Sequence, residues 1–505
     1  MIAQTLTIMA GIFIFLIGLT IAVVIAMFFI DINQTKDTIR ANYPVIGRFR
    51  SFFTTLGEFF RQYFFAMDRE EMPFNRAERD WVYQSAKGED NTQAFGSTRS
   101  LTPVGTPIFV NAAFPPLDDH SDHAHPVVIG PHARQPYEAS SIINISAMSF
   151  GALSRPAVIA LSKGAKLAGC WLNTGEGGLS PHHLAGDCDI VFQLGTAKYG
   201  ARDKNGNLDD EKLKAIADKP QVKMIELKLA QGAKPGKGGI LPASKVTEEI
   251  AGIRGIPAGE ASISPNRHVD AANLPELLTL VDHMREISGL PVGFKTVISS
   301  KDWCDDLCRA IKKHSVKRAP DFITVDSGDG GTGAAPMPLM DNVGLPISES
   351  LVMLVDALHQ HGLRDRIKII ASGKLITPAQ VAWAYCVGAD FVNSARGFMF
   401  SLGCIQALKC NKNTCPTGIT THDARLQHGL DPTDKAERVK RYVGKIRYGS
   451  GIISHSCGVD NPRSLRRDHV RIVQHDGSSV PLNQLHPLPS KLESKPSRRG
   501  IKSSK

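Results

Sequence analysis

Cysteine is sparse, nine residues in 505, and an odd number scattered through so long a chain excludes the disulfide framework of a small secreted domain. Helix-turn-helix, zinc-finger and aromatic stacking patterns are missing, so the formal charge of +10 does not describe a nucleic-acid-binding face. Half of that charge is a terminal feature, because Lys491, Lys495, Arg498, Arg499, Lys502 and Lys505 are balanced only by Glu493. No glycine-rich dinucleotide fingerprint follows a strand, which argues against NADPH binding within the chain. No internal repeat is evident, and charge is absent from Leu6 to Ile30.

That uncharged run is long enough, at about 1.5 Å per residue, to cross a hydrocarbon core of about 30 Å. A signal peptide would open on basic residues and carry a shorter apolar stretch. This chain opens Met1-Ile2-Ala3-Gln4, so a retained transmembrane anchor is expected over 1–35. Lys36, Arg40, Arg48 and Arg50 follow it, and the positive-inside bias then puts the bulk of the chain on the cytoplasmic side, where thiols stay reduced. From Phe52 to Phe64 apolar residues recur at helical spacing within an extension spanning 36–140. Their aromatic face suits either the bilayer interface or packing on the chain's own domain.

From Ile142 onward short apolar runs alternate with helical patterns. Strands are predicted at Ile142 to Ala147, Trp171 to Thr174, Ile190 to Leu194, Met224 to Leu229, Val292 to Val297, Phe322 to Asp326, Ile367 to Ala371 and Phe391 to Ser394. Helices are predicted at Pro275 to Ile287, Trp303 to His314, Glu349 to His361 and Pro378 to Val387. The alternation predicts an α/β fold, a (β/α)8 TIM barrel over 141–425, with a doubly wound sheet as the alternative. Gly195 to Pro220 reads as a surface excursion, 426–480 as a C-terminal extension and 481–505 as an unstructured basic tail.

Polar, glycine-rich segments follow the strands, on the face where a barrel builds its active site. They are Met148-Ser149-Phe150-Gly151, Gly175-Glu176-Gly177-Gly178 and the run from Ser327, Gly328, Asp329, Gly330 and Gly331 to Ala334. Each glycine lets backbone approach a ligand, although one such stretch alone is more often a turn. Lys228 lies within an apolar strand and Lys234 in the loop after it, two cations that suit a reduced flavin or a carboxylate, against the plain reading of solvated lysines. Ser372-Gly373-Lys374 and Ala395-Arg396-Gly397 end the last two strands, where backbone amides and a cation suit a cofactor phosphate and surface capping is the competing reading. Cys404, Cys410 and Cys415, followed by Pro416, form a polar thiol loop suited to iron, with zinc and His422 as the alternative. His120, His123 and His125 are read as a solvated loop rather than a metal site.

In order and spacing these motifs, with Asn173-Thr174 ahead of Gly175 and Ala230-Gln231-Gly232-Ala233-Lys234-Pro235-Gly236 after the fourth strand, resemble the FMN-binding synthase domain of glutamate synthase. The resemblance covers Ile142 to Thr421, and Arg61 to Gly96 looks like the extension of the standalone, membrane-anchored members. It implies FMN and a 3Fe-4S cluster on Cys404, Cys410 and Cys415, with electrons passing from cluster to flavin and hydride to 2-iminoglutarate, formed from 2-oxoglutarate and ammonia, to give L-glutamate. Met148, Lys234 and Arg254 would bind the oxo acid, and Glu176, Lys228 and Lys234 would form the catalytic set. FMN would meet Ser149, Lys228, Ser327, Gly328, Gly330, Gly331, Gly373, Lys374, Ala395 and Arg396. The implied partners are an electron donor, a ferredoxin or a reductase subunit, and the membrane.

Two departures accompany the resemblance. Ile240 stands where the family usually has a substrate-contacting Gln, which leaves the oxo acid open, and Ser372-Gly373-Lys374 replaces an acidic Gly-Gly. No amidotransferase segment precedes the barrel, so free ammonia or glutamine hydrolysis elsewhere is expected. The competing function is a membrane-docked flavin and iron-sulfur electron-transfer subunit that forms no glutamate.

Overall fold

The computed structural model describes residues 2–34, 38–60, 64–65, 67–117 and 124–491. His120 and His123 therefore lie outside the described residues. The chain divides into two units, Met1–Arg79 and Asp80–Lys505.

The first unit opens on helix α1 (Ile2–Asn33), with mean hydropathy 3.0 over its most apolar window. By length and composition it can cross a membrane, and among the described residues it is the one helix that can. Helices α2 (Thr38–Asn42) and α3 (Ile46–Phe60) follow. The Asp31 carboxylate, fully buried, gathers this unit. It accepts hydrogen bonds from Arg40 Nη2 at 3.0 Å, from Arg48 Nε and Nη2 at 2.8 Å each, and from the Val45 amide at 3.0 Å. A carboxylate leaves water only when its lone pairs are met in this way.

In the second unit eight parallel strands close into a barrel. They are Ile143–Ile145, Leu172–Asn173, Ile190–Leu194, Val222–Lys228, Val292–Val297, Phe322–Asp326, Lys368–Ser372 and Phe391–Ser394. The eighth pairs with the first through Val392 and Ile143, so the sheet has no free edge and the doubly wound alternative is excluded. Each predicted strand is present, and the four predicted helices appear as Leu274–Ser288, Lys301–His314, Ile347–Gln360 and Pro378–Val387. Asn273 and Ser300 cap two of them by accepting from the amides of Glu276 and Trp303.

Apolar packing holds one part of the interior and a polar layer another. The hairpin Val127–Ile129 with Tyr137–Ala139 packs its buried side chains on Trp171, Val191, Met224, Phe322, Ile370 and Phe391. Elsewhere in the barrel, buried Glu226 accepts from Asn173 Nδ2 at 2.9 Å, Gln193 Nε2 at 2.6 Å and the Thr324 hydroxyl at 2.6 Å. Four strands are thereby cross-linked through one carboxylate whose acceptors are met.

Two segments differ from expectation. Gly195 to Pro220 is no simple excursion: Thr196, Lys198 and Tyr199 are buried and Asp210–Ala217 is helical, because Lys198 pairs with Asp270 and turns the segment inward. At the other end Leu482–Leu485 is a short helix with Leu482 buried, and Arg467 Nη1 donates to the His486 carbonyl at 2.7 Å. Ordered structure thus extends past 481, and 492–505 lie outside the described residues.

The helix Pro432–Ser456 packs along the helix Arg155–Ala168 at Gly164, where an added Cβ would stand 2.5 Å from Val439 Cβ. Gly164→Ala gains up to about 1 kcal/mol of helix propensity, but overpacking costs about 1–3 kcal/mol. With the clash on a branched carbon, the second effect wins. Gly164→Ala is expected to lower the thermal midpoint by a few degrees, and an unchanged or raised midpoint in a melting curve would refute that packing argument.

Candidate active site

The carboxyl ends of the sixth, seventh, eighth and first strands, with Gln231 and Lys295, line an open cavity. Of the residues expected at a cofactor, Gly330, Gly331, Gly373, Lys374, Ala395 and Arg396 line it. Ser327 and Gly328 stand behind that wall: the Ser327 hydroxyl would meet a Cβ on Gly373 at 2.2 Å, and the Gly328 amide donates to Leu345 O at 2.8 Å. Gly373 has φ 140° and Lys374 φ 51°, a turn that the first of them accepts only as glycine. A Cβ on Gly331 would sit 2.8 Å from Arg396 Nε. The bare glycine is what admits that guanidinium, which also donates to the Asp329 carbonyl.

Beside the cavity the fourth strand and its loop bring charges together. Lys228 Nζ donates to Glu176 Oε1 at 2.6 Å and to Gln231 Oε1 at 3.1 Å, and Gln231 Nε2 donates to Gly331 O at 2.8 Å. Glu176 is accommodated by two glycines, since a Cβ on either Gly195 or Gly239 would come within 2.6 Å of its carboxylate oxygens. Burial acts to raise the Glu176 carboxyl, but Lys228, Lys234 and Lys295 outweigh it and hold the group below its ordinary value. Lys234 is buried and donates to Ala334 O at 3.1 Å. Burial, helped by the neighbouring Lys228, pushes it down to about 8. His268, buried and lowered chiefly by burial, donates its Nε2 proton to the Lys228 carbonyl at 2.9 Å.

Arg254 caps a third side. Its Nη1 donates to Ser262 Oγ at 3.2 Å, its guanidinium carbon lies 5.2 Å from the centre of the Tyr199 ring, and Cβ atoms on Gly151 and Gly177 would stand 3.1 and 3.0 Å from Nη2. Its buried Nε has no hydrogen-bond partner among the described residues. Met148 is buried, and Ser149 approaches the second loop so closely that a Cβ on Gly175 would stand 2.6 Å from its amide nitrogen. Ile240 pairs with Ile263 in a two-stranded piece.

Lys295, Gln231 and Asp326 were not among the expected site residues, although all three line the cavity. Lys295 is the register partner of Lys228 and lies 3.7 Å from Asp326. A lysine inside the apolar strand Val292 to Val297 is the same signal that marks Lys228.

In the cysteine loop, Cys415 Sγ lies 3.4 Å from the Thr417 hydroxyl. Burial pushes the Cys410 thiol up; burial also opposes ionisation of Cys415, but hydrogen bonds from Thr417 and Thr420 outweigh it and lower that thiol. The Cys404 carbonyl accepts from the Tyr83 hydroxyl at 2.6 Å. Among the described residues no three His, Cys, Asp or Glu side chains are gathered as a metal-holding group. The three thiols are therefore not gathered as a ligand set in this structure.

A closed parallel barrel with a glycine-lined cavity and buried cations at its mouth is a TIM barrel with a site for an anionic ligand. Residues 112–458 match the family described as a conserved region in glutamate synthase. A glutamate synthase large subunit-like protein from Bacillus subtilis, YerD, is 40% identical over 95% of this chain and 98% of its own length. An archaeal glutamate synthase [NADPH] from Methanocaldococcus jannaschii is 35% identical over 66% of this chain and 62% of its own length. The chain belongs to the FMN-binding glutamate synthase family.

The Glu176–Lys228 pair is enclosed, with side chains 17% and 10% exposed. Removing one partner of such a pair costs about 3–5 kcal/mol, whereas removing both costs far less. Lys228→Met should lower the thermal midpoint markedly, and adding Glu176→Gln should restore part of the loss. Additive losses in the double variant would show that the two groups do not stabilise each other.

Proposed function

We propose that the chain reduces 2-iminoglutarate, formed from 2-oxoglutarate and ammonia, to L-glutamate. The observation that carries this reading is the enclosure of Lys228, Lys234 and Arg254 round Glu176 beside the glycine-lined cavity. A dicarboxylate needs cations held out of water, where their attraction is strong.

The cavity fits FMN on its own chemistry. Gly331 and Gly373 leave backbone accessible where side chains would intrude, and Lys374 and Arg396 bring positive charge to the same wall. Gly330, Ala395 and the neighbouring Ser327 and Gly328 would hold the cofactor at that wall, and Ser149 and Lys228 would meet it as well. When bound, the flavin supplies hydride. Met148, Lys234 and Arg254 hold and orient the oxo acid. Glu176, fixed by Lys228, stays ionised on the side where ammonia enters. Lys234, able to gain or lose a proton near pH 8, is the group suited to hold a proton beside the nitrogen of the substrate.

Two further assignments belong to the proposal. The loop of Cys404, Cys410 and Cys415 is assigned a 3Fe-4S cluster from the sequence spacing of the thiols alone, and holding it requires the loop to draw the three together. Helix α1 is the membrane anchor, with the barrel on the cytoplasmic side and a separate protein as electron donor.

Anaerobic, photoreduced protein offered 2-oxoglutarate with ammonia should reoxidise its flavin and release L-glutamate. Persistence of the reduced spectrum would sink the proposal. The affinity for 2-oxoglutarate alone, followed by flavin absorbance, should be level below about pH 8 and weaken above it. The sign follows from Lys234, whose positive charge is present below its lowered value of about 8 and lost above it. Lys234→Met should weaken binding about tenfold or more and level the profile; a profile that still bends at pH 8 in that variant would assign the titration to another group.

Cys410→Ser should remove the iron signal in electron paramagnetic resonance and reduce the iron content. Wild-type protein purified anaerobically without iron would dismiss the cluster.

A further inference from the structure

We propose that helix α3 lies in the interfacial layer of the membrane that α1 crosses, with its aromatic stripe in the acyl boundary and its polar face toward the headgroups. The inference rests on the reading of α1 as a membrane span.

The sequence of α3 repeats apolar residues at Ile46, Phe49, Phe53, Leu56 and Phe60, spacings of three and four that make one stripe. Arg48, Thr54 and Thr55 occupy the other face. Within the described residues of its own unit much of the stripe is open: Ile46 is 72% exposed, Phe49 55% and Phe53 61%, with Phe52 at its edge 57% exposed, while Leu56 and Phe60 are half-buried. Phe53 stands 6.3 Å from Phe49 and 5.4 Å from Phe52, so the rings form one continuous apolar surface. A contiguous patch of this kind marks a surface that meets something other than water.

The position of α3 selects what it meets. The uncharged run of α1 ends at Ile30, and the next residue, Asp31, marks the depth at which charge first occurs. Arg48, on the first turn of α3, is held by that carboxylate through two bonds of 2.8 Å, and Arg40 and the Val45 amide join it. Helix α3 therefore begins at the level where α1 leaves the hydrocarbon. With 15 residues it is about 22 Å long, too short to span a core of about 30 Å, and Arg48 and Arg50 bar it from entering one end first. A helix with one apolar and one polar face at that depth lies along the surface, and Arg50 suits an anionic headgroup.

The test uses the full chain in vesicles of phosphatidylcholine and phosphatidylglycerol, with bromine carried either near the acyl carbonyl or near the bilayer centre. Phe53→Trp reports on α3 and Leu16→Trp, midway along α1, is the depth control; the emission of the parent protein, with four tryptophans of its own, is subtracted from both. Shallow bromine is expected to quench Phe53→Trp about twofold more than deep bromine, as an apolar face about 5–10 Å deep requires, and Leu16→Trp should show the reverse. An unquenched Phe53→Trp beside a quenched Leu16→Trp would overturn the proposal, placing the stripe in water, on another part of the chain or on a second copy, and would leave the span intact. Loss of quenching at both positions would overturn the span and the interfacial helix together.

Discussion

Closure of the eight-stranded barrel is the constraint from which the rest of the site follows. Once the eighth strand pairs with the first, all eight carboxyl ends face one mouth, and residues distant in sequence become neighbours. Lys228 and Lys295 stand side by side only because the fourth and fifth strands are in register. Buried lysines in adjacent strands repel, and the mouth answers with Glu176 on one and Asp326 near the other. The field that remains is positive, which suits an anionic ligand.

Close backbone contact is the second condition. Gly232 lies so near the sixth-strand loop that a Cβ would overlap the Ser327 carbonyl, and its amide donates to Asp326 Oδ2 at 3.2 Å. The loops after the fourth and sixth strands are therefore joined by their main chains, and Gln231 adds a side-chain bond to Gly331 O. Lys228, Gln231 and Gly331 form one hydrogen-bonded line from the ion pair to the cavity wall. A side chain at Gly232 would break that line by steric overlap with the Ser327 carbonyl rather than by any loss of charge.

The barrel was legible because each strand is a short apolar run bounded by turn residues, and four helices between the later strands carry a clear period. Lys228, Lys234 and Glu176 were legible for a related reason, since charges beside apolar strands or within glycine-rich loops have few structural uses. Tyr199, Ser262 and His268 were not. Each is defined by a partner far away in sequence, the Arg254 guanidinium for the first, the Tyr199 hydroxyl for the second and the Lys228 carbonyl for the third, and a neutral side chain gives no local sign of such a partner. Lys198 misled for the opposite reason: in a stretch rich in Lys, Asp and Gly it reads as solvated, and only Asp270, 72 positions later, brings it inside.

Lys245 shows how far such hidden partners reach. Buried in a short turn, it donates to the carbonyls of Ala152 at 2.7 Å and Thr420 at 3.0 Å, with that of Cys410 at 3.4 Å. An ammonium surrounded by carbonyls fixes three main-chain segments at once, without needing a carboxylate to neutralise it. Two of those segments belong to the cysteine loop and one follows the first barrel strand. His422 makes a parallel link, its Nε2 donating to Gly151 O at 2.8 Å. The cysteine loop is thus attached to the first-strand loop by two polar side chains, and its position relative to the cavity is set by the barrel rather than by the thiols themselves.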